Sequence, residues 1–204
     1  MIVKAQKNKW HRDITIGKIY PVIFKNNSES KEIRIVDDFG SLSIYEIQDF
    51  ELYSIQTENY FIFDGELVYK SVAYKSFLEE YYEDKKQAVD NLKESVKEIY
   101  KNELSEEDLV GFITSDIYSS DEKNDFIYAI DSKLSNDYSV IIARYFINNF
   151  ENATDSSVVI CNLLAKFHNQ DVYNLFLKYL SEGNTNEKST EAIIINYFDN
   201  YYLN

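Results

Sequence analysis

The hydrophobic pattern changes period once along the chain. Up to about residue 69, apolar and polar positions alternate or form short apolar runs bounded by turn residues, as in half-buried strands. Strands are predicted at residues 2–5, 15–23, 32–36, 41–45 and 47–53. Pro21 cannot donate to a ladder, which puts it at a sheet edge or a bulge. Residues 25–31 and Asp37-Asp38-Phe39-Gly40 read as turns. Five short strands with tight turns predict a small barrel, because closure removes exposed edges. Residues 59–69 read NYFIFDGELVY, and Asp64-Gly65 between apolar runs predicts a two-stranded hairpin.

From Ser71 the period is helical. Helices are predicted over 74–82 and 85–100, the second with Ala88, Leu92, Val96 and Ile99 on one stripe. Ser105-Glu106-Glu107-Asp108 is a capping-box-like start for a helix carrying Leu109, Val110, Phe112, Ile113 and Ile117. Asp121 opens the next, with Phe126, Ile127, Ile130 and Leu134 inward. Further starts fall at Asp137, Asp155 and Gln170 or Asp171. Gly183 follows Leu180 as a stop signal, and the last helix spans about 188–202. Residues 138–180 form three segments that are apolar on most faces, so other helices must cover them on several sides. The starts near 106, 121, 137, 155, 170 and 188 recur every 15 to 18 residues. Taken in pairs, this is a period of roughly 33, in the range of helical-hairpin solenoids. A plain antiparallel bundle fits the same pattern. The expected class is α+β: a small β unit over 1–56, a linking hairpin over 57–70 and an α-helical domain over 71–204.

The runs TIGKIYPVI, IRIVDDFG and IQDFELY resemble the small Src-homology-3-like barrels of Gram-positive bacterial and phage proteins. The likeness covers about 55 residues, with Gly17, Asp38 and Gly40 matching as turn formers. It implies a fold and a binding role with no activity attached. The stretch from Ser105 is similar, by pattern, to short HEAT-type repeats such as those of some toxin-immunity proteins.

Charge sharpens the picture. Residues 1–56 carry eight Lys/Arg and eight Asp/Glu, whereas 57–204 carry 13 and 27, so the net charge of −14 lies entirely in the later part. Binding nucleic acid or an anionic membrane relies on Lys and Arg, so neither is an expected partner. An acidic surface favours encounter with a basic protein. One Pro and five Gly in 204 residues argue for long regular elements. A single cysteine, Cys161, excludes an internal disulfide and a multi-cysteine metal site, and it fits a reducing compartment. No signal peptide and no apolar run long enough for a membrane span is found, so a cytoplasmic location is expected.

Candidate chemistry is sparse. His11-Arg12-Asp13 copies a kinase catalytic-loop triplet, but the Asn five positions on is Lys18, and the glycine-rich loop is missing. Cys161 and His168, seven residues apart, would share a helix face, without the further ligands or base that chemistry there needs. No phosphate-binding loop or nucleophile elbow occurs. We therefore expect no enzyme activity, no cofactor and no metal. Two carboxylate clusters, Glu79, Glu80, Glu83 and Asp84, and Glu106, Glu107 and Asp108, are the expected partner-binding residues. Tyr is abundant (Tyr81, Tyr82, Tyr118, Tyr138, Tyr145, Tyr197, Tyr201, Tyr202), and interfaces favour it. The expected role is protein binding and inhibition of a basic partner, as in toxin immunity or phage counter-defence. An adaptor with two binding modules is the alternative. The oligomeric state is not legible.

Overall fold

The computed structural model describes residues 1–7, 13–26, 31–150, 156–182 and 188–201. Among the described residues seven antiparallel strands are followed by helices, an α+β arrangement. The strands are β1 (Ile2–Ala5), β2 (Ile19–Asn26), β3 (Glu32–Val36), β4 (Leu42–Glu46), β5 (Phe50–Ser54), β6 (Tyr60–Phe63) and β7 (Glu66–Tyr69). The strand expected from residue 15 begins at Ile19, because Gly17 at φ +90° turns the chain first.

The long strand β2 is the hub. Its first half pairs with β1, Val3 opposite Tyr20, and its second half with β7, Phe24 opposite Val68. Its other edge carries β3, Lys25 opposite Ile33. Pro21 lies just before the register shift at Val22/Phe24, as a residue without an N–H should. The order β4-β3-β2-β1-β5 ends in β4 and β5, and no ladder joins those ends among the described residues. The sheet is open, where five short strands predict closure. A 3-10 turn at Ile47–Asp49 carries the chain away from β4, and β5 pairs with β1 instead.

The chain divides into two compact units, Met1–Leu104 and Ser105–Asn204. Besides the sheet, the described residues of the first form α1 (Phe77–Tyr82) and α2 (Lys86–Glu103). The stripe Ala88, Leu92, Val96 and Ile99 is buried, and α2 packs on β2, on α1 and on the turn Lys70–Val72. The change of period near Ser71 thus marks where helices begin, while the unit ends more than thirty residues later. An amphipathic helix needs an apolar surface, and the sheet supplies it. Phe77 of α1 stacks on Phe24 of β2 with centroids 5.9 Å apart, and the Tyr69 hydroxyl donates to Glu98 at 3.0 Å. The buried Glu103 carboxylate pairs with the Met1 amino group.

Turn chemistry is dense at one end of this sheet. Asp37, 7% exposed, accepts from the Phe39 and Ser41 amides at 3.0 and 2.9 Å and from the Ser43 hydroxyl at 2.7 Å. Asp38 accepts from Thr15, Tyr20 and Lys18 at 2.6, 2.9 and 3.1 Å. Asp13 accepts from Tyr45 at 2.8 Å.

The second unit contains α3 (Glu106–Ile113), α4 (Ser120–Ile130), α5 (Asn136–Asn148), α6 (Ser157–Leu164), α7 (Gln170–Glu182) and α8 (Lys188–Tyr201). Serines cap the early helices: Ser105 with Asp108 and Ser119 with Glu122 form complete capping boxes, each satisfying two orphan donors. Besides the α3–α4 contact, each helix packs on the one two places along: α3 on α5, α5 on α7, α4 on α6 and α6 on α8. Like ends meet. The Ser135 amide at the start of α5 donates to Glu106 at the start of α3. Asn169, which caps α7, donates to Asn136 and Ser139 of α5 at 3.1 and 2.9 Å. Ser157 of α6 and Thr190 of α8 share a buried hydrogen bond of 3.0 Å. Alternate helices therefore run parallel. The start expected at Asp155, the stop at Gly183 and the end at Tyr202 lie outside the described residues.

Candidate functional site

The seven carboxylates expected to meet a partner fall four in the first unit and three in the second. Most of them also have work to do within the fold. Glu80 accepts from Ser76 at 2.7 Å and from Tyr74 at 3.3 Å. Asp84 ends α1 at φ +56°, a left-handed conformation that Asp tolerates better than most residues. Glu106 accepts the Ser135 amide, and Asp108 closes the Ser105 capping box. Glu83 lies 3.4 Å from Lys85 in an exposed ion pair worth little. Glu79 and Glu107 are the plainly solvent-facing members. Sequence reasoning found the acidity but not these local roles, although the Ser105 spacing announces one of them.

The tyrosines divide in the same way. Tyr118 and Tyr197 are buried. Tyr81 and Tyr82 bind the outward side of β4: the Leu42 amide donates to Tyr81 at 3.1 Å, and Tyr82 donates to the Leu42 carbonyl at 3.1 Å. Tyr145 receives a 2.6 Å hydrogen bond from Lys123 and donates to Asp116 at 2.9 Å. Lys123 is buried, and burial lowers its amine pKa while the Asp116 charge opposes the shift. The chain of three groups satisfies a buried cation. Tyr202 lies outside the described residues, and so do His11 and Arg12 of the kinase-like triplet.

Cys161 and His168 do not share a helix. Helix α6 ends at Leu164, and His168 lies in the following connection with its ring stacked on Tyr197, centroids 5.3 Å apart. Cys161 is fully buried, and burial pushes its thiol up to about 12. A thiolate is the reactive form, so the native protein is expected to react slowly with a bulky thiol reagent and rapidly once unfolded. The folded thiol holds its proton more tightly than the unfolded one. Its contribution to stability is therefore complete below the ordinary value of 9.0 and is lost as pH rises towards about 12. Rapid native labelling at neutral pH would contradict this.

Among the described residues no group of three or more His, Cys, Asp or Glu is placed to hold a metal ion. No described helix is long and apolar enough to cross a membrane. The most exposed apolar strand residues lie on the hairpin that Asp64-Gly65 closes: Phe61 is 56% and Ile62 75% exposed. No family model, no curated protein and no solved structure matches the chain.

Proposed function

We propose that this protein acts by binding, without catalysis, and that it inhibits a basic partner protein through its acidic helical surface in the cytoplasm. A toxin-immunity or phage counter-defence role fits this reading. The observation that carries it is the placement of charge: the unit Ser105–Asn204 has six Lys/Arg against 16 Asp/Glu. Carboxylates concentrated on stacked helices speed encounter with a basic surface and repel nucleic acid. The parallel stacking of alternate helices supports a short HEAT-like array, and the shared strand β2 supports a Src-homology-3-like sheet. An adaptor role is the second reading, favoured by the exposed apolar hairpin in the other unit.

The test uses a partner captured from the native host. The exposed positions are chosen so that caps are left intact: Glu79→Lys with Glu83→Lys in one cluster, and Glu107→Lys in the other. Each variant should remain folded with a melting temperature within a few degrees of the natural chain, because relief of like-charge repulsion is set against the loss of first-turn carboxylates at the starts of α1 and α3. In the cluster that makes the contact, association should slow about tenfold at low ionic strength, and the effect should shrink as salt rises. On-rates unaffected by both reversals at low salt would overturn the acidic-surface reading.

A further inference from the structure

The sheet of the first unit has strand edges at β4, β5 and β6, and they are treated differently. On β4 the outward amide and carbonyl of Leu42 are bound by Tyr81 and Tyr82. On β6 the register determines which groups face out. Asp64 and Gly65 have φ of +49° and +82°, a two-residue turn of the primed type. Phe63 then faces Glu66 as a hydrogen-bonded pair, as does Phe61 with Val68. The 2.9 Å bond from the Lys70 amide to the Asn59 carbonyl continues the same alternation. The amide and carbonyl of Ile62 therefore point away from β7, to the open side. The Tyr60 amide is already satisfied by Thr57 at 3.0 Å.

This edge is also apolar on both faces at its tip, through Ile62 on one and Phe61 on the other. Long apolar edges invite pairing, and proteins usually blunt them with charge or cover them. Here the charges stand at the two ends, the exposed Glu58 before the strand and the exposed Asp64 after it. An added strand with an apolar centre and a cation at each end matches this layout. A second copy fits less well: in the symmetric register, with Ile62 opposite Ile62, each Asp64 faces Tyr60 and no cation meets either carboxylate.

We propose that β6 is a docking edge for an extended segment of a partner protein, apolar at its centre with Lys or Arg at both ends, which adds to the sheet as a further strand through the Ile62 backbone. This surface lies in the first unit and does not depend on the acidic helices of the second.

The test uses the intact protein and a labelled heptapeptide, acetyl-Lys-Val-Thr-Val-Thr-Val-Lys-amide, whose end lysines are spaced as Glu58 and Asp64 are, followed by fluorescence anisotropy and by amide exchange. Binding should be saturable and should slow exchange of the Ile62 amide. The same peptide with Glu at both ends should bind at least about tenfold more weakly, a gap that narrows with salt. Ile62→Pro removes the outward N–H at a position where an edge strand tolerates proline, and it should abolish binding. Ile62→Lys, checked by circular dichroism, serves if the proline variant does not fold. Leu52→Lys on β5 should leave binding unchanged. The proposal is overturned if the Lys-ended peptide shows no saturable binding, if the folded Ile62 variants bind it as well as the natural chain, or if both peptides bind alike. It is also overturned if sedimentation shows a dimer that the Ile62 variants dissolve, for the occupant is then a second copy.

Discussion

Replacing Phe126 with alanine is expected to cost about 4 kcal/mol, within the usual range for a buried Phe truncated to Ala. Phe126 is fully buried on α4, where it meets Tyr118 edge-on at 5.0 Å and Phe112 at 5.3 Å. Phe112 and Tyr118 also touch, at 5.5 Å, so truncation opens one corner of a closed three-ring cluster. Phe112 sits in the last turn of α3 and Tyr118 beside the capping Ser119 of α4, so neither remaining ring can move far into the cavity. For a unit of this size the loss corresponds to a fall in melting temperature of roughly 15–30 °C. Phe126→Leu keeps much of the volume and should cost about 1–2 kcal/mol. Urea unfolding followed by far-UV circular dichroism measures both. A loss below about 1 kcal/mol for the alanine variant would show that the trio is not a packed centre.

The second large effect is expected at Asp37. Asp37→Ala removes the acceptor of two backbone amides and one hydroxyl at a site that is 7% exposed. Buried donors left without acceptors cost about 1–3 kcal/mol each, partly offset where water can enter, so a net loss of about 3 kcal/mol is expected. Asp37→Asn keeps one carbonyl oxygen for the Phe39 and Ser41 amides and should recover about half of that. Denaturation of the two variants measures the difference. Equal losses would mean that the charge matters more than the two amide bonds.

Local chemistry was the most legible part of the sequence. Asp64-Gly65 announced the β6–β7 hairpin because only residues that tolerate positive φ fit such a turn, and the two strands lie where the pattern puts them. Ser105 with Asp108 announced the start of α3 for an equally local reason. Non-local pairing was less legible. Alternation marks β4 as half-buried and a further strand is expected over 47–53, but the pattern does not say whether the edges of β4 and β5 meet, and no ladder joins them. The stripe on α2 says that one face is buried without saying against what. The sheet covers it, and this moves α1 and α2 out of the helical unit expected from Ser71 onward. Charge counts likewise located the acidity but could not separate Glu79, which faces solvent, from Glu80, Glu106 and Asp108, which hold the fold together. That distinction depends on hydrogen-bond partners up to 29 residues away.

The parallel stacking of alternate helices also bears on how the second unit folds. Its principal contacts join elements that are adjacent or two apart in the chain, so little loop entropy is spent in forming them. The first unit is the opposite case. Its β1–β5 ladder joins Ile2 to Ser54, and that closure cannot form until most of the intervening chain is in place. The sheet therefore orders as a whole, whereas the helical unit can order through contacts that are short in sequence.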